Sequence, residues 1–405
     1  MIIPEFGYGG AEKSFCALTM ELNKTYSVKI VVFNLKQPAV YMIGGEVFSL
    51  EVDSSKYLFG KLINFFKRVS RLRRIKKQLN PSACISFLEG ADYINILSSG
   101  EEKTIISVRG SKLFDQNISS FTGLVRKRLL IPILYGKADR IVTLSEGVKE
   151  ELLANYSHFS KSKINTIYNY INREKIRTLA NKPLSKSWTS YFKENRVIIF
   201  SGRIAIEKGV QLFLPVFAEL IIQLHDIRLV LIGDGVYQTE LQNICDKLTL
   251  SYENIDELKS PNKNINVYFL GYQPNPFKWV NQASLFVSSS LHEGFGNSIL
   301  EALTLGVPVI ASDCPYGPRE IIANKTYKDN IDYPYQVNNG ILLPTIDHVN
   351  DASNLWVHTI LHKLSSARET VYMNDGTSIN PDRFSKGEFT RKWINVIEDN
   401  FIKVS

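Results

Sequence analysis

The chain has 405 residues, 44% of them hydrophobic and 22% charged, which is enough to bury about two globular cores and too mixed for a disordered or fibrous protein. The net charge of +8 is uneven: residues 1–175 hold 26 Lys/Arg against 16 Asp/Glu, and the rest hold 22 against 24. No apolar run approaches the ~18 residues of a membrane span, and the N-terminus lacks the charged-then-apolar layout of a signal peptide. Cys16, Cys84, Cys245 and Cys314 form no Cys-x-x-Cys pair, which points to a reducing cytoplasmic compartment and away from a thiolate metal site. A basic half predicts contact with an anionic surface, and nucleic acid and acidic lipid both fit.

Ile2 and Ile3 are the only trace of a first strand before Pro4, so that strand is either very short or truncated. Next comes Gly7-Tyr8-Gly9-Gly10-Ala11-Glu12, where glycines between a strand and a helix let amides approach an anion, although any tight turn uses the same residues. Strands are predicted at 28–33, 83–87, 104–108, 140–144 and 164–168.

Between Leu58 and Leu79 apolar residues recur at helical spacing, interleaved with eight cations from Lys61 to Lys77 and no acid. This is a basic amphipathic helix. Its apolar face can pack on the sheet while Arg71, Arg73, Arg74 and Lys77 touch lipid, or the cations can simply be solvated. Arg126, Lys127 and Arg128 add a second cluster.

A first domain over 1–175 is followed by a polar, Ser-rich stretch broken by Pro183, read as a linker at 176–195. The second domain, 196–385, has strands predicted at 197–202, 228–233, 266–270, 285–288 and 307–312. A tail at 386–405, amphipathic over 389–402, is expected to return to the first domain. Two alternating series of this kind predict two doubly wound parallel sheets.

Ligands of such sheets bind where strands end and helices begin. Arg203 and Lys208, in Ser201-Gly202-Arg203 and Glu207-Lys208-Gly209, can converge on one pyrophosphate or can be ordinary loop charges. In Leu291-His292-Glu293-Gly294-Phe295-Gly296-Asn297-Ser298-Ile299-Leu300-Glu301, the amides of Gly296, Asn297 and Ser298 face a phosphate at a helix start. Glu293 before that helix and Glu301 in its first turn can line one pocket. Ser298-x-x-Glu301 also reads as a capping box, which accounts for Glu301 but not for the Glu293 loop. The turns at Gly233 and Tyr272 either border a nucleotide or are plain turns.

In combination these residues resemble the retaining glycosyltransferases of family 4. The resemblance rests on Gly9-Gly-Ala-Glu12, Ile141-Val-Thr-Leu-Ser-Glu-Gly-Val148, Ile167-Tyr-Asn169, the Gly202-Arg203 and Glu207-Lys208-Gly209 stretch, the Glu293/Glu301 pair, and Gly306 to Glu320. It implies a GT-B fold, two Rossmann-like domains facing each other across a cleft. It further implies transfer of a sugar, hexosyl or N-acetylhexosaminyl, from a nucleotide-sugar of UDP type to a lipid-linked or glycan acceptor, with retention, in cell-surface polysaccharide synthesis. Arg203 and Lys208 would hold the diphosphate, Glu301 the ribose, and Glu293 the sugar, helped by amides around Phe295 and Gly296. Gly10 would bring the first domain's backbone to the reacting centre.

The resemblance needs no cofactor, and no Asp-x-Asp supports a metal-dependent alternative. His358 and His362, four apart, lack a third ligand and read as a solvated helix face. Where many members carry a histidine, this chain has Arg109, which either holds an acceptor phosphate or pairs with a carboxylate. The expected site of action is the inner face of the cell membrane, peripherally bound. A nucleotide-sugar epimerase, an inactive sugar-binding module and a nucleic-acid-binding protein are the rivals, the last without a recognised motif.

Overall fold

The computed structural model describes all residues except 8, 36–38, 54, 114–120, 339, 347–350, 367–381 and 400–405. Tyr8 and the last residues of the expected tail helix thus lie outside the described residues. The chain divides into two units, Met1–Tyr170 with Phe384–Ser405, and Ile171–Arg383.

The first unit is built on strands β1 (Lys29–Val32), β2 (Glu46–Ser49), β3 (Ala83–Phe87), β4 (Lys103–Val108), β5 (Arg140–Thr143) and β6 (Ile164–Thr166), all pairing in parallel. The opening strand is short but real. Ile2 bridges Val31 on one side and Ser86 on the other, and its amide donates to the Ile85 carbonyl at 2.7 Å. The order is therefore β2-β1-(Ile2)-β3-β4-β5-β6. Alternation along the strands sends Ile30, Val32, Ile85 and Phe87 into one core and Val31 and Cys84 into another, so both faces are covered and the strands read as continuous apolar runs.

Helices α1 (Gly10–Leu22), α2 (Leu58–Leu79), α3 (Glu89–Leu97), α4 (Phe121–Val125) and α5 (Glu146–Asn155) flank the sheet, and a wide π-helical stretch continues α4 over Arg126–Tyr135. Helix α2 is anchored from Phe65 onward: Val69 and Leu72 are buried and Phe65 and Ile75 pack beside them, whereas Phe59, Leu62, Ile63 and Phe66 are exposed.

The predicted linker is structured. Helices α6 (Arg173–Ala180) and α7 (Lys186–Glu194) belong to the second unit, and Trp188 is fully buried in edge-on contact with Tyr268 and Trp279, 5.3 and 4.9 Å between centroids. Trp188, Tyr191 and Phe192 share one helix face, and burying that aromatic face outweighs the polar composition around it.

The second unit's sheet contains β7 (Arg196–Ser201), β8 (Ile227–Ile232), β9 (Tyr252–Asn254), β10 (Val267–Phe269), β11 (Leu285–Ser288), β12 (Val309–Ser312), β13 (Tyr335–Val337) and β14 (Gly340–Leu343). Their order is β13-β14-β12-β11-β7-β8-β10-β9, parallel except for β13. Helices α8 (Val210–Gln223), α9 (Gln238–Lys247), α10 (Phe277–Val280), α11 (Asn297–Thr304), α12 (Pro318–Ala323) and α13 (Ala352–Ser366) connect and cover them. The chain then returns to the first unit as α14 (Lys386–Glu398), whose Trp393 stacks on Phe87 at 5.9 Å.

Candidate functional site

In the second unit the chain builds β8 and β10 on one side of β7, then places β11, β12 and β14 on the other. The topological switch point thus lies between β7 and β11, where loops from the two strand ends diverge and leave a crevice. Both loops that carry the predicted chemistry leave from there: residues 202–209 after β7 and 289–296 after β11.

Glycines bring these loops into backbone contact. Gly209 has φ 66°, and a Cβ there would meet the Ser289 carbonyl oxygen at 1.9 Å. Gly233 has φ 130°, and a Cβ would lie 1.9 Å from the Gly202 carbonyl oxygen. The Leu291 amide donates to the Glu207 carbonyl at 2.9 Å, and Ser289 Oγ to the Lys208 carbonyl at 3.2 Å. Glu293 is clamped from the other side, its amide donating to the Pro315 carbonyl at 2.8 Å and its carbonyl accepting from the Tyr316 amide at 2.7 Å.

This scaffold sets Lys208 Nζ 2.5 Å from Glu293 Oε1, which also accepts from Ser290 Oγ at 2.9 Å. Both donors converge on Oε1, so among the described residues Oε2 is left for a ligand. Arg203 pairs with Glu207 and keeps its side chain 71% exposed. Helix α11 begins at Asn297, with Gly296 at φ 101° as its N-cap and no side-chain cap. Ser298 therefore lies inside the helix, the capping box does not form, and Glu301 sits beyond the first turn rather than in it. Phe295 is buried, and Tyr272 stands half-exposed just after Gly271, whose carbonyl accepts from the Gly233 amide at 2.8 Å.

The loop that clamps Glu293 is braced by two residues of the Gly306 to Glu320 segment to which the sequence assigned no role. Arg319 pairs in a buried bidentate contact with Asp313, which also accepts from Tyr333 at 2.6 Å, while Arg319 donates to the Asp329 carbonyl at 2.6 Å. Asp313 directly follows β12, two residues before Pro315. Cys314 between them is buried, and burial next to the Glu293 charge pushes its thiol well up, so it is no nucleophile.

In the first unit the switch point lies between the Ile2 strand and β3. Gly9 is the N-cap of α1 and Gly10 its first residue, with no side-chain cap. The Glu12 carboxylate folds over this loop, where a Cβ on Gly9 would meet Oε2 at 2.1 Å. Past β3, Leu88 takes φ 73°, and Glu89 accepts from Tyr93 (2.5 Å) and Lys112 (3.0 Å) and forms an ion pair with Arg126 (3.0 Å). Asp92 is fully buried, accepts from Ser86 and Tyr135, and is pushed up to about 7 by desolvation.

Arg109, at the end of β4, has no carboxylate partner among the described residues. It donates to Ser14 Oγ at 2.9 Å and to Asn169 Oδ1, and lies 4.9 Å from the Phe87 ring centroid.

The expected membrane cations divide. Arg71 caps the Leu50 and Glu51 carbonyls and Arg73 donates to the Leu97 carbonyl, because carbonyls at strand and helix ends accept from guanidinium groups, while both residues stay exposed; Arg126 is held by the Glu89 carboxylate. Arg74, Lys77 and Arg128 are exposed, and Lys127 is half-exposed. His358 and His362 both face solvent on α13. No helix among the described residues is long and apolar enough to cross a membrane.

Residues 185–343, which hold this whole switch-point site, match the family model described as glycosyl transferases group 1. The chain is 30% identical over 286 residues to an uncharacterized glycosyltransferase of Methanocaldococcus jannaschii, covering 68% of this chain and 66%, just under two thirds, of that protein. It is 26% identical over 338 residues to a Campylobacter jejuni enzyme named N-acetylgalactosamine-N,N'-diacetylbacillosaminyl-diphospho-undecaprenol 4-alpha-N-acetylgalactosaminyltransferase, covering 81% and 84% of the two chains. Anabaena HepE, solved in complex with UDP and glucose, matches the fold with a TM-score of 0.71 over 98% of each chain at 16% identity. The fold is thus GT-B, two Rossmann-like domains. The second unit carries a glycosyl transferases group 1 domain, and the chain is similar to glycosyltransferases over most of its length.

Proposed function

We propose that the chain transfers a hexosyl or N-acetylhexosaminyl residue from a UDP-sugar to a lipid-linked or glycan acceptor, with retention of configuration, in the assembly of a cell-surface polysaccharide. The Lys208–Glu293 pair at the switch point carries this reading. Lys208 spends one N–H on Glu293 and keeps two for phosphate oxygens, and Glu293 keeps Oε2 for a sugar hydroxyl. One contact thereby fixes the distance between the group that meets the leaving diphosphate and the group that meets the sugar. The relatives' acceptors support the second half of the reading, since the Campylobacter jejuni enzyme is named for a diphospho-undecaprenol substrate.

In this scheme the bond between the anomeric carbon and the phosphate oxygen breaks as Arg203 and Lys208 neutralise the departing diphosphate. Arg203 exchanges Glu207 for phosphate oxygens. The acceptor hydroxyl attacks the same face, and its proton passes to the leaving phosphate oxygen. Catalysis is then positioning and electrostatic stabilisation, with cations rather than a metal supplying the charge. Glu301 holds the ribose, the amides of Gly202, Gly296, Asn297 and Ser298 border the diphosphate, and Gly233 and Tyr272 border the base.

The first unit is proposed to meet the inner membrane face peripherally. The exposed Phe59, Leu62, Ile63 and Phe66 on α2, interleaved with Lys61 and Lys67, combine apolar area with positive charge. Residues Leu129, Leu130 and Ile133 form a second exposed apolar strip next to Lys127 and Arg128.

Incubation with a panel of UDP- and GDP-sugars and a prenyl-diphosphate-linked acceptor tests the reading. The expected product is an α-linked sugar from an α-linked UDP donor. Turnover of the nucleotide-sugar with no transferred product would instead favour an epimerase.

A further inference from the structure

Several inward-turned cations of the first unit have a carboxylate partner, and the buried Lys103 donates to the Ile397 and Asp399 carbonyls. Lys112 and Arg126 share Glu89, and the buried Lys76 lies 2.7 Å from Glu102. Arg109 has no carboxylate partner among the described residues. It sits at the carboxyl end of β4, beside β3, on the ligand-binding edge of the sheet next to the switch point. Its oxygen partners are the Ser14 hydroxyl, the Asn169 amide oxygen and, at 3.4 Å, the Ser107 hydroxyl. Its Nε is shut off from solvent without an acceptor, and the Phe87 ring lies against the guanidinium. Desolvation alone lowers its pKa to about 9, which leaves it charged at neutral pH.

A partly dehydrated cation held only by neutral dipoles lowers the stability of the free fold. Such a cost at a strand end has a functional reading: the missing counter-charge comes with a ligand. We propose that Arg109, with the Ser14 and Ser107 hydroxyls, forms an oxyanion subsite that binds a phosphate or diphosphate group. The lipid-linked acceptor source rests on the function proposed above; free phosphate or diphosphate is the other source of the same chemistry. The Ser14 hydroxyl, which now donates to Asn169 Oδ1 at 2.7 Å, can exchange that acceptor for the incoming anion, and the Ser107 hydroxyl can rotate to donate alongside it.

The test uses the full chain saturated with UDP, which occupies the proposed donor site, and titrates inorganic pyrophosphate calorimetrically. Arg109→Gln should weaken pyrophosphate binding by about tenfold or more, the size of a lost charge-assisted hydrogen bond. Arg109→Lys should retain most of the binding, and UDP affinity should be unchanged in both. Arg109→Gln should also melt no lower than the unsubstituted chain, because the dehydrated charge is gone. Pyrophosphate binding equal to wild type in Arg109→Gln would overturn the proposal. So would a large fall in melting temperature in both variants with undiminished binding, which marks a plain structural brace. This arm requires no transfer activity, so it stands or falls separately from the glycosyltransfer reading. A second arm compares acceptors with and without the diphosphate. A rise in KM for the diphosphate form alone assigns the subsite to the lipid-linked acceptor. Lost pyrophosphate binding with both KM values unchanged assigns it to free phosphate or diphosphate.

Discussion

Lys208 Nζ and Glu293 Oε1, 85 residues apart in the chain, stand 2.5 Å apart at the point where the second unit's sheet reverses its strand order. The pair links the loops that follow β7 and β11, and Ser290 Oγ supports the Glu293 carboxylate from its own loop. Lys208→Ala should therefore cut kcat/KM through two losses, a contact to the leaving diphosphate and the alignment of Glu293. Loss of such a preorganised charge costs on the order of 2–4 kcal/mol in the barrier. Steady-state kinetics on Lys208→Ala and Arg203→Ala check this, and near-normal values in both would sink the donor assignment.

Glu301 has no capping role to confuse its test, because Gly296 rather than Ser298 is the N-cap of α11. Glu301→Gln should weaken UDP binding by roughly tenfold, the loss of a charged hydrogen bond to a hydroxyl, with little change in melting temperature. Calorimetric titration with UDP alongside a thermal melt separates the two effects. A large fall in stability with unchanged UDP affinity would assign Glu301 to the fold.

Gly209→Ala places a methyl where the Ser289 carbonyl oxygen lies 1.9 Å away, at φ 66°. The two loops must part, so the variant should lose about 1–3 kcal/mol of stability and a larger share of activity. Denaturant unfolding and kcat/KM measure the two. A stable, fully active variant would show that the contact between the loops is dispensable.

Asp92 gives a pH dependence with a definite sign. Its pKa rises from an ordinary carboxyl value near 4 to about 7 on folding, so the folded chain holds the proton more tightly than the unfolded chain. This group's contribution is full below the unfolded pKa and is lost as pH rises through about 7. Asp92→Asn should remove that loss, so its stability relative to wild type should improve between pH 5 and 8 on this scale. Denaturant midpoints across that range provide the check, and parallel curves would refute it.

Vesicle binding should depend on the N-terminal half of α2 rather than on Arg71 and Arg73, whose guanidiniums are tied to backbone carbonyls. Phe59→Ser with Phe66→Ser should release the chain from phosphatidylglycerol vesicles, since each buried aromatic is worth ~2 kcal/mol. Lys61→Gln with Lys67→Gln should weaken binding by ~1 kcal/mol per charge at low salt. Co-sedimentation reads both. Equal binding to neutral vesicles, or no effect of either pair, would reduce α2 to a solvated face.

Transfer should persist in EDTA, since Arg203 and Lys208 supply the charge that a metal supplies elsewhere. Abolition by chelation with recovery on adding Mg²⁺ or Mn²⁺ would overturn this.

Much of the fold was legible because both faces of each sheet are covered, so central strands appear as unbroken apolar runs. Ala83–Phe87 and Leu285–Ser288 were found to the residue. Of the strands that escaped, Glu46–Ser49, Tyr252–Asn254 and Tyr335–Val337 lie at sheet edges and are half-exposed, with no such run to find, whereas Gly340–Leu343 is buried inside the sheet and escaped because its apolar run is only three residues long. Residues 176–195 misled because composition was weighed over spacing: Trp188, Tyr191 and Phe192 at i, i+3 and i+4 were the signal of a buried helix.

By itself the sequence determined the strand-and-helix alternation, the loops at strand ends and the charged residues on them, because these depend on periodicity and composition over a few residues. Tertiary structure alone decided that Lys208 meets Glu293, that Asp313 and Arg319 brace the loop beside it, and that Arg71 is satisfied while Arg109 is not. Each of those outcomes depends on which strands lie side by side. Strand order is set by core burial summed over the whole unit, so no local pattern along the chain encodes it.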